Sequence, residues 1–317
     1  MKILVTGITG FAGAHLAALL KQQGGAEIHG TKHASARMSP VFDSSGIVMH
    51  ELDMTDMAGV SALVISLRPD IIYHMAAFVS VARSFEEPAR TFETNVVGTI
   101  HLLEAVRKHC PEIKVVIPGS AESYGKVDPE SMPIKESQPL RARHPYGMSK
   151  ASQEMVGLYY HEAFGLKTYL TRSFHYTGPG QPAGFVCSDF AKQISEIEAG
   201  KKEPVISVGN LKAKRDFLDI RDVVRSYTAI ADKGRPGAIY NVCRGESVAI
   251  SDILDMLVGL SSKEISIKVD PAKLRPVDVP DFVGDNALLK GDTGWTPEIE
   301  LSRSLGDVLS FWRGNPA

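Results

Sequence analysis

Short runs of Ile, Leu and Val alternate with stretches of helical periodicity through the first half of the chain. The runs at Lys2–Thr6, Glu27–Thr31, Ile47–Leu52, Asp70–Tyr73 and Lys114–Ile117 have the length and β-branched content of buried strands. Between the first two, Phe11–Gln23 sets Leu16, Leu19 and Leu20 on one side of a helix. Pro88–Lys108 reads as one long helix, with Phe92, Val96, Ile100, Leu103 and Val106 at helical spacing. A further helix is predicted from Tyr146 to about Phe164, then a sixth strand over Leu166–Arg172. This alternation predicts an α/β fold, a right-handed, doubly wound parallel sheet of Rossmann type.

After Arg172 the rhythm breaks at the turn-rich Gly178-Pro179-Gly180-Gln181-Pro182. A helix over Ser188–Ala199, a short strand near Val205–Val208 and a loop from Gly209 to Arg215 follow. Asp222–Ala231 and Ala238–Val242 are expected to return to the first sheet. Ser251–Leu260, Ile265–Val269 and a terminal helix over Ser302–Trp312 complete the chain. The expected division is a dinucleotide-binding domain over 1–172, with returns near 219–245, and a smaller C-terminal α/β substrate domain over 173–317.

Composition narrows the classes. A net charge of −2 gives no footing for a general nucleic-acid binder or a polybasic membrane anchor. No apolar run reaches spanning length and no leader-like segment opens the sequence, so a cytoplasmic location is expected. The three cysteines, Cys110, Cys187 and Cys243, are far apart and show no metal-ligand spacing, so no metal site is expected.

The first candidate chemistry lies between the first strand and the first helix. Gly7-Ile8-Thr9-Gly10-Phe11-Ala12-Gly13 is a glycine loop in the strand–turn–helix setting that a dinucleotide site requires. Glycines let the backbone approach a pyrophosphate, and the helix N-terminus offers free N–H groups and a partial positive charge. After the second strand, where an NAD-binding chain carries an acid for the ribose 2′-hydroxyl, this one has Lys32, His33, Ser35 and Arg37. These could hold a 2′-phosphate, which favours NADP(H), with NAD(H) as the alternative. Asp53 is a candidate partner for the adenine amino group, with Met54 beside it. Ala76 and Ala77, small residues at a strand end, admit a cofactor closely.

The second is Tyr146-Gly147-Met148-Ser149-Lys150, a phenol and an ammonium one helical turn apart. A fixed positive charge near a phenol favours its anion, making a proton donor and acceptor near neutral pH. Just upstream is the polar Gly119-Ser120-Ala121-Glu122-Ser123-Tyr124-Gly125, at a strand end where open α/β sheets bind ligands. His74 reads as a satisfied core residue, and Met54, Met57 and Met75 as packing.

Taken together, the glycine loop, Asp53, Asn95 within Asn-Val-Val-Gly-Thr, Ser120 and the Tyr146/Lys150 pair resemble the extended short-chain dehydrogenase/reductases over essentially the whole chain. The C-terminal half is similar to the members acting on GDP-hexoses. The stretches that carry this are Gly178-Pro179-Gly180-Gln181, Gly184-Phe185-Val186, Arg215-Asp216-Phe217 and Leu274-Arg275-Pro276-Val277-Asp278-Val279-Pro280. Two positions depart from the pattern: His175 stands where an Asn is usual, and Val79 where a polar residue is usual.

The resemblance implies NADPH-dependent reduction of the 4-keto group of a GDP-4-keto-6-deoxy-hexose. Tyr146 is then the acid, Lys150 its partner and the holder of the nicotinamide ribose, and Ser120 the group that orients the carbonyl. Asn95 joins the cofactor set. Arg215 and Arg275 are candidates for the GDP diphosphate, Asp278 for a ribose hydroxyl, and Asn210 and Lys192 for the nucleotide pocket. Ser80, Arg83, Ser84 and His175 are candidates facing the sugar. The alternative is 4,6-dehydration of GDP-mannose, with Glu122 as the base. An epimerase, and a non-catalytic NADP(H)-binding sensor or scaffold, stand further off. The family also implies a homodimer through the helices Pro88–Lys108 and Lys150–Phe164.

Overall fold

The structure is a computed structural model describing residues 1–273 and 280–315. Strand β1 (Lys2–Thr6) runs into α1 (Phe11–Gln23), followed by β2 (Glu27–Lys32), β3 (Ile47–Glu51), α2 (Met57–Leu67) and β4 (Ile71–His74). Helices α3 (Val81–Glu86) and α4 (Pro88–Phe92), a π turn (Glu93–Val97) and α5 (Gly98–His109) lead to β5 (Lys114–Ser120). Then come α6 (Pro145–Phe164), β6 (Lys167–Ser173), β7 (His175–Thr177), α7 (Val186–Glu198), β8 (Val205–Val208) and β9 (Lys214–Asp219). The remainder is α8 (Ile220–Lys233), β10 (Ile239–Val242), β11 (Ser247–Ala249), α9 (Ile250–Val258), β12 (Ser266–Val269), β13 (Asp281–Phe282), α10 (Ala287–Thr293) and α11 (Leu301–Gly314).

Seven strands form one sheet in the order β10-β6-β5-β4-β1-β2-β3, and every pairing in it is parallel. Such strands are buried on both faces, which is why they read as apolar runs. On one face Ile3 and Val5 pack with Leu16 and Leu20 of α1 and with Val224 and Tyr227 of α8. On the other, Leu4 and Ile72 pack with Val64 of α2, Leu102 and Val106 of α5, and Tyr160 of α6. A separate core joins α7, α9 and α11 through Ile194, Ile253, Leu254, Leu305 and Leu309. Around it lie a small sheet centred on β9 and a parallel pair of β8 with β12. Among the described residues no helix is long and apolar enough to cross a membrane.

Pro88–Lys108 is not the single helix its periodicity predicts. The π turn interrupts it and turns Asn95 fully inward. There the Asn95 amide bonds the backbone N–H and C=O of Phe78 at 2.7 and 3.1 Å, and donates to Ser149 Oγ of α6 at 2.9 Å. A buried amide needs partners, and the extra residue in the turn supplies the rotation that lets it find them. Arg215 lies in β9 rather than in a loop. Strands β7, β11 and β13 are too short to show a period in sequence.

Helix α6 is fixed to the sheet by a buried ion pair. Arg172 of β6 grips Glu154 with two hydrogen bonds of 2.7 Å, each side chain 5% exposed, and donates to the Glu136 carbonyl at 2.8 Å. Losing one partner strands the other charge in a dry environment. Glu154→Ala is expected to lower stability in urea unfolding by about 3–5 kcal/mol. Adding Arg172→Met should recover most of that loss, because the stranded charge is then gone.

Candidate active site

The C-terminal ends of the central strands converge on one edge, with Thr6 beside His74 and Ser120 beside Ser173. The glycine loop closes this edge at β1. Gly7 has φ +63°, and a Cβ there would lie 2.7 Å from Ala76 Cα. At Gly13 a Cβ would meet the Gly7 carbonyl oxygen at 2.6 Å. Gly10 caps α1 without a side-chain hydrogen bond, and no acid occupies the first turn. The opening amides at Phe11, Ala12 and Gly13 are thereby left without side-chain partners. An open, uncrowded helix N-terminus suits a diphosphate, so the loop fits a dinucleotide. The side chains of Phe11 and Ala12 pack inward, the Phe11 ring stacking on Tyr176 with centroids 6.2 Å apart. The carbonyl of buried Thr9 accepts from Ser39 N–H at 2.7 Å, drawing the segment after β2 over the loop.

Lys32 ends β2 half-buried, and His33 and Arg37 follow in the open. His33 Nε2 faces Asp53 Oδ2 at 3.3 Å. Asp53 also accepts from the backbone N–H and hydroxyl of Thr55 at 2.9 and 2.8 Å. Desolvation opposes the anion of Asp53, but the Thr55 and His33 contacts outweigh it and hold its pKa below the ordinary value. That this carboxylate reaches His33 from the next strand could not be read from the sequence. The Met54 side chain is buried in the core against α2 and α5, so only its backbone is left for a cofactor contact. Ala76 and Ala77 line the strand end half-buried, Ala76 N–H donating to Thr6 Oγ1 at 3.1 Å. The Asn95 amide holds the Phe78 loop and α6 together, bonding the Phe78 backbone and Ser149.

Tyr146 and Lys150 both ride α6, which starts at His144-Pro145, with Pro at the first helical position. Lys150 is buried and donates to the Pro118 carbonyl at 2.9 Å and to Gln153 Oε1 at 2.8 Å. Burial pulls its pKa down to about 7. The expectation that Lys150 depresses Tyr146 is not met here. Burial raises the phenol well above its ordinary value and the nearby Tyr176 adds to this, against a smaller opposing effect from Ser120. Tyr146 is therefore a neutral proton donor at physiological pH. Ser120 ends β5, nearly buried, with its hydroxyl accepting from Glu122 N–H at 3.2 Å.

Glu122 lies between two histidines. His144 caps α6: its Nδ1 accepts from Gly147 N–H at 3.0 Å, so the ring hydrogen sits on Nε2. That Nε2–H donates to Glu122 Oε2 at 2.9 Å. His175 Nε2 stands 3.8 Å from Oε1. Desolvation favours the protonated acid, yet His144, His175 and Arg215 together hold the Glu122 pKa down to about 2. The His144 ring also lies parallel to that of Tyr146, at 4° and 6.2 Å.

The remaining substrate candidates are scattered. Ser80 caps α3 by accepting from Arg83 N–H at 3.2 Å. Arg83 pairs with Glu87 at 2.6 Å and lies over the Phe78 ring. Ser84 is a correction: it is fully buried and donates to the Val81 carbonyl of its own helix at 2.6 Å. Lys192 faces Glu196 at 3.7 Å and the Trp312 ring. With Gln193, Lys202 and Lys273 it lines a cavity of about 300 Å³. Asn210 turns its side chain back on its own loop, accepting from Lys212 N–H at 3.0 Å. Arg215 donates to the Lys214 carbonyl at 2.7 Å and is near enough to act on Glu122. Arg275 and Asp278 lie outside the described residues. A larger cavity of about 610 Å³, lined by Met1, Ile71, Tyr73 and Lys114, opens at the opposite ends of the strands, away from Tyr146. Among the described residues no cluster of His, Cys, Asp and Glu could hold a metal.

Three contributors went unread in the sequence: His144, Gln153 and Tyr176. Pro145 marks the helix start, but His is an unusual cap, so only the fold shows what His144 does. Gln153 lies three residues past Lys150 on the same face and was legible from that spacing alone.

Comparison with known proteins places this geometry in company. A family model described as GDP-mannose 4,6 dehydratase matches residues 4–307. The GDP-6-deoxy-D-mannose reductase of Pseudomonas aeruginosa is 32% identical over 98% of this chain and 97% of its own length. A GDP-mannose 4,6-dehydratase of Vibrio cholerae is 27% identical over 97% of this chain and 92% of its own. The solved structure of RMD from Pseudomonas aeruginosa complexed with NADPH superposes with a TM-score of 0.86 at 31% identity, covering 99% of each chain.

His74 yields a prediction about acid stability. Burial, with Lys150 adding to it, takes its pKa from 6.5 to about 3. Between those values the unfolded chain binds a proton that the folded one refuses. Stability should therefore fall as pH drops from 6.5 toward 3, by at most about 1.4 kcal/mol per pH unit from this group. His74→Gln should flatten that part of the acid limb, as read from urea midpoints at a series of pH values.

Proposed function

The chain belongs to the GDP-mannose 4,6-dehydratase family, and on that footing we propose that it is an NADPH-dependent reductase of the 4-keto group of a GDP-4-keto-6-deoxy-hexose. Its product is a GDP-6-deoxyhexose of the GDP-D-rhamnose type. The observation that carries this choice is the opposed state of two acids at one site. Tyr146 is held protonated by burial, while Glu122 is held ionised and weakly basic by His144. Ketone reduction needs a proton delivered to oxygen. Dehydration needs a base able to take a proton from carbon 5, and a carboxylate with a pKa of about 2 is poorly matched to that task. The reductase and the NADPH complex among the relatives support the same reading.

In this mechanism the bound nicotinamide cofactor supplies the hydride for carbon 4. The amides of Phe11, Ala12 and Gly13 would hold its diphosphate, and Lys32, His33 and Arg37 its 2′-phosphate. Tyr146 gives its hydroxyl proton to the carbonyl oxygen. Ser120 hydrogen-bonds the same oxygen and orients it. Lys150 would donate to the nicotinamide ribose, and its charge would offset the phenolate left on Tyr146 until solvent returns a proton. Glu122, between His144 and His175, binds sugar hydroxyls as an acceptor. The residues from 173 onward supply most of the substrate site, with Lys192 and Arg215 toward the nucleotide.

We also assign a homodimer, formed through α6 and the neighbouring π turn. Met148, Met155 and Tyr159 of α6 are 50%, 66% and 57% exposed, with Val97 at 38% close by in the fold. Apolar side chains so exposed along one helix mark a surface that is covered in the assembly. A cytoplasmic location suits the three buried free thiols.

The direct assay is NADPH oxidation with GDP-4-keto-6-deoxy-D-mannose made in situ, run beside GDP-mannose with NADP⁺ alone. NADPH loss with the keto sugar only is expected. A keto product from GDP-mannose alone would overturn the reductase reading and make Glu122 the base. Tyr146→Phe should lower kcat about 10²–10⁴-fold, the range for a lost general acid, whereas Glu122→Gln should leave the reduction largely intact. Met155→Glu with Tyr159→Glu is expected to yield a monomer in sedimentation velocity, and an unchanged sedimentation coefficient would count against the α6 interface.

A further inference from the structure

Lys150 is held from behind by two neutral oxygens, those of Pro118 and Gln153. Gln153 is 1% exposed, and its Nε2 donates to Thr99 Oγ1 at 2.8 Å. That contact fixes the carboxamide, with nitrogen toward Thr99 and oxygen toward Lys150. The surrounding hydrogens follow by counting. Thr99 gives its single hydroxyl hydrogen to the Asn95 carbonyl at 2.7 Å, so toward Gln153 and His74 it can only accept. His74 Nε2, at 3.0 Å from Thr99 Oγ1, therefore carries the ring hydrogen, and Nδ1 accepts from Thr6 Oγ1 at 2.9 Å. Thr6 in turn accepts from Ala76 N–H, beneath the glycine loop. Every member of this buried set is satisfied, and none is a carboxylate.

The charged and titratable groups packed about Lys150 are few. Tyr146 stands one turn back on α6, and His74 comes from β4 with its neutral form enforced by burial. From α5 the Thr99 hydroxyl accepts from Gln153, and from β5 the Pro118 carbonyl accepts from Lys150. Glu154, the next residue after Gln153, is turned to Arg172. Among the described residues no carboxylate pairs with Lys150, and a buried ammonium so placed keeps its field for whatever lies in front of it. A glutamate at 153 would be nearly isosteric and would cancel that field.

We propose that Gln153 is a positioning residue for the proton transfer at Tyr146. It anchors Lys150 through a neutral oxygen, so that the ammonium charge is not spent on a buried carboxylate and is left for the ribose and for the phenolate that proton transfer leaves on Tyr146. Thr99 and His74 hold Gln153 in that orientation, which links the catalytic helix to the strand end under the cofactor loop. The residue at 153 then sets the pH at which Lys150 loses its proton. The absence of a counter-ion, which lets burial bring that pH near neutrality, is the consequence of Gln rather than Glu at this place.

The test compares Gln153→Glu and Gln153→Met with the wild type, each checked for folding by circular dichroism. Two pH profiles are read: NADPH affinity by fluorescence, with no sugar present, and kcat/KM for the keto sugar. In the wild type both should decline on the alkaline side as Lys150 deprotonates. Gln153→Glu should move that decline up by about one pH unit or more, since a buried opposite charge stabilises the ammonium, and should lower the plateau of kcat/KM about tenfold. Gln153→Met should move the decline down. A decline that stays put in both variants, or moves the same way in both, overturns the proposal, because a purely structural role would lower activity without opposite shifts. Should Gln153→Met not fold, Gln153→Glu decides alone, and an unmoved decline refutes the role. The inference rests on the reductase reading only for the second profile. A wild type that binds NADPH but reduces no keto sugar would refute that reading and leave the NADPH profile to judge Gln153.

Discussion

One constraint organises the molecule: α6 lies so close to the sheet that parts of it admit no side chain. A Cβ at Gly157 would fall 2.6 Å from Leu170 Cδ2, and one at Gly147 would fall 2.7 Å from the Glu122 carbonyl oxygen. That approach seats the ammonium of Lys150 beneath Pro118, presses Glu154 onto Arg172, and brings the helix start against the Ser120–Glu122 segment. The candidate pair Tyr146 and Lys150 does not hang on a loop. It rides a helix pinned by backbone contact and a buried ion pair, so its geometry is set before any ligand arrives.

Given that seat, electrostatics at the site follow from who is left without a partner charge. Arg172 and Glu154 satisfy each other out of water. Lys150 is held by two neutral acceptors, and Tyr146 is buried near Ser120, Tyr176 and the negative charge of Glu122, so both shift toward their neutral forms. Glu122, 38% exposed, is surrounded by donors and goes the opposite way. A neutral phenol and a firmly ionised carboxylate are divided roles, a donor of protons and an acceptor of hydrogen bonds.

The sequence was most readable where a period had room to repeat. The parallel strands and α1 and α6 stood out from runs and spacings, and the glycine loop and Tyr146/Lys150 from motifs whose physics is local. What escaped was set by distant packing. The π turn at Asn95 depends on Phe78 and Ser149, residues from other elements, so nothing in 88–108 alone announces it. Ser84 and Met54 sit next to site residues in sequence, but their side chains point into the core. The contact of Asp53 with His33 joins the ends of two strands and needs the sheet order to be seen.

The substrate side was the least legible, and Asp216 shows why. It is fully buried beside Arg215 and accepts backbone N–H groups from Arg244, Gly245 and Gly284, at 2.7, 2.9 and 3.3 Å. Those donors lie roughly 30 to 70 positions away in the chain. One carboxylate thus gathers three irregular segments around β9 and fixes where Arg215 begins. Burial pushes its acid form up to about 6, against the pull of the three amides, so the hub holds its charge only because those amides converge on it. A short strand with a buried anion has no periodic signature. Its meaning lies in long-range donors, and the same holds for the loops that must surround a nucleotide sugar. The Tyr146/Lys150 spacing lies within a single helix and could be read locally, whereas the partners that hold Lys150, directly or through Gln153, come from β5, α5 and β4.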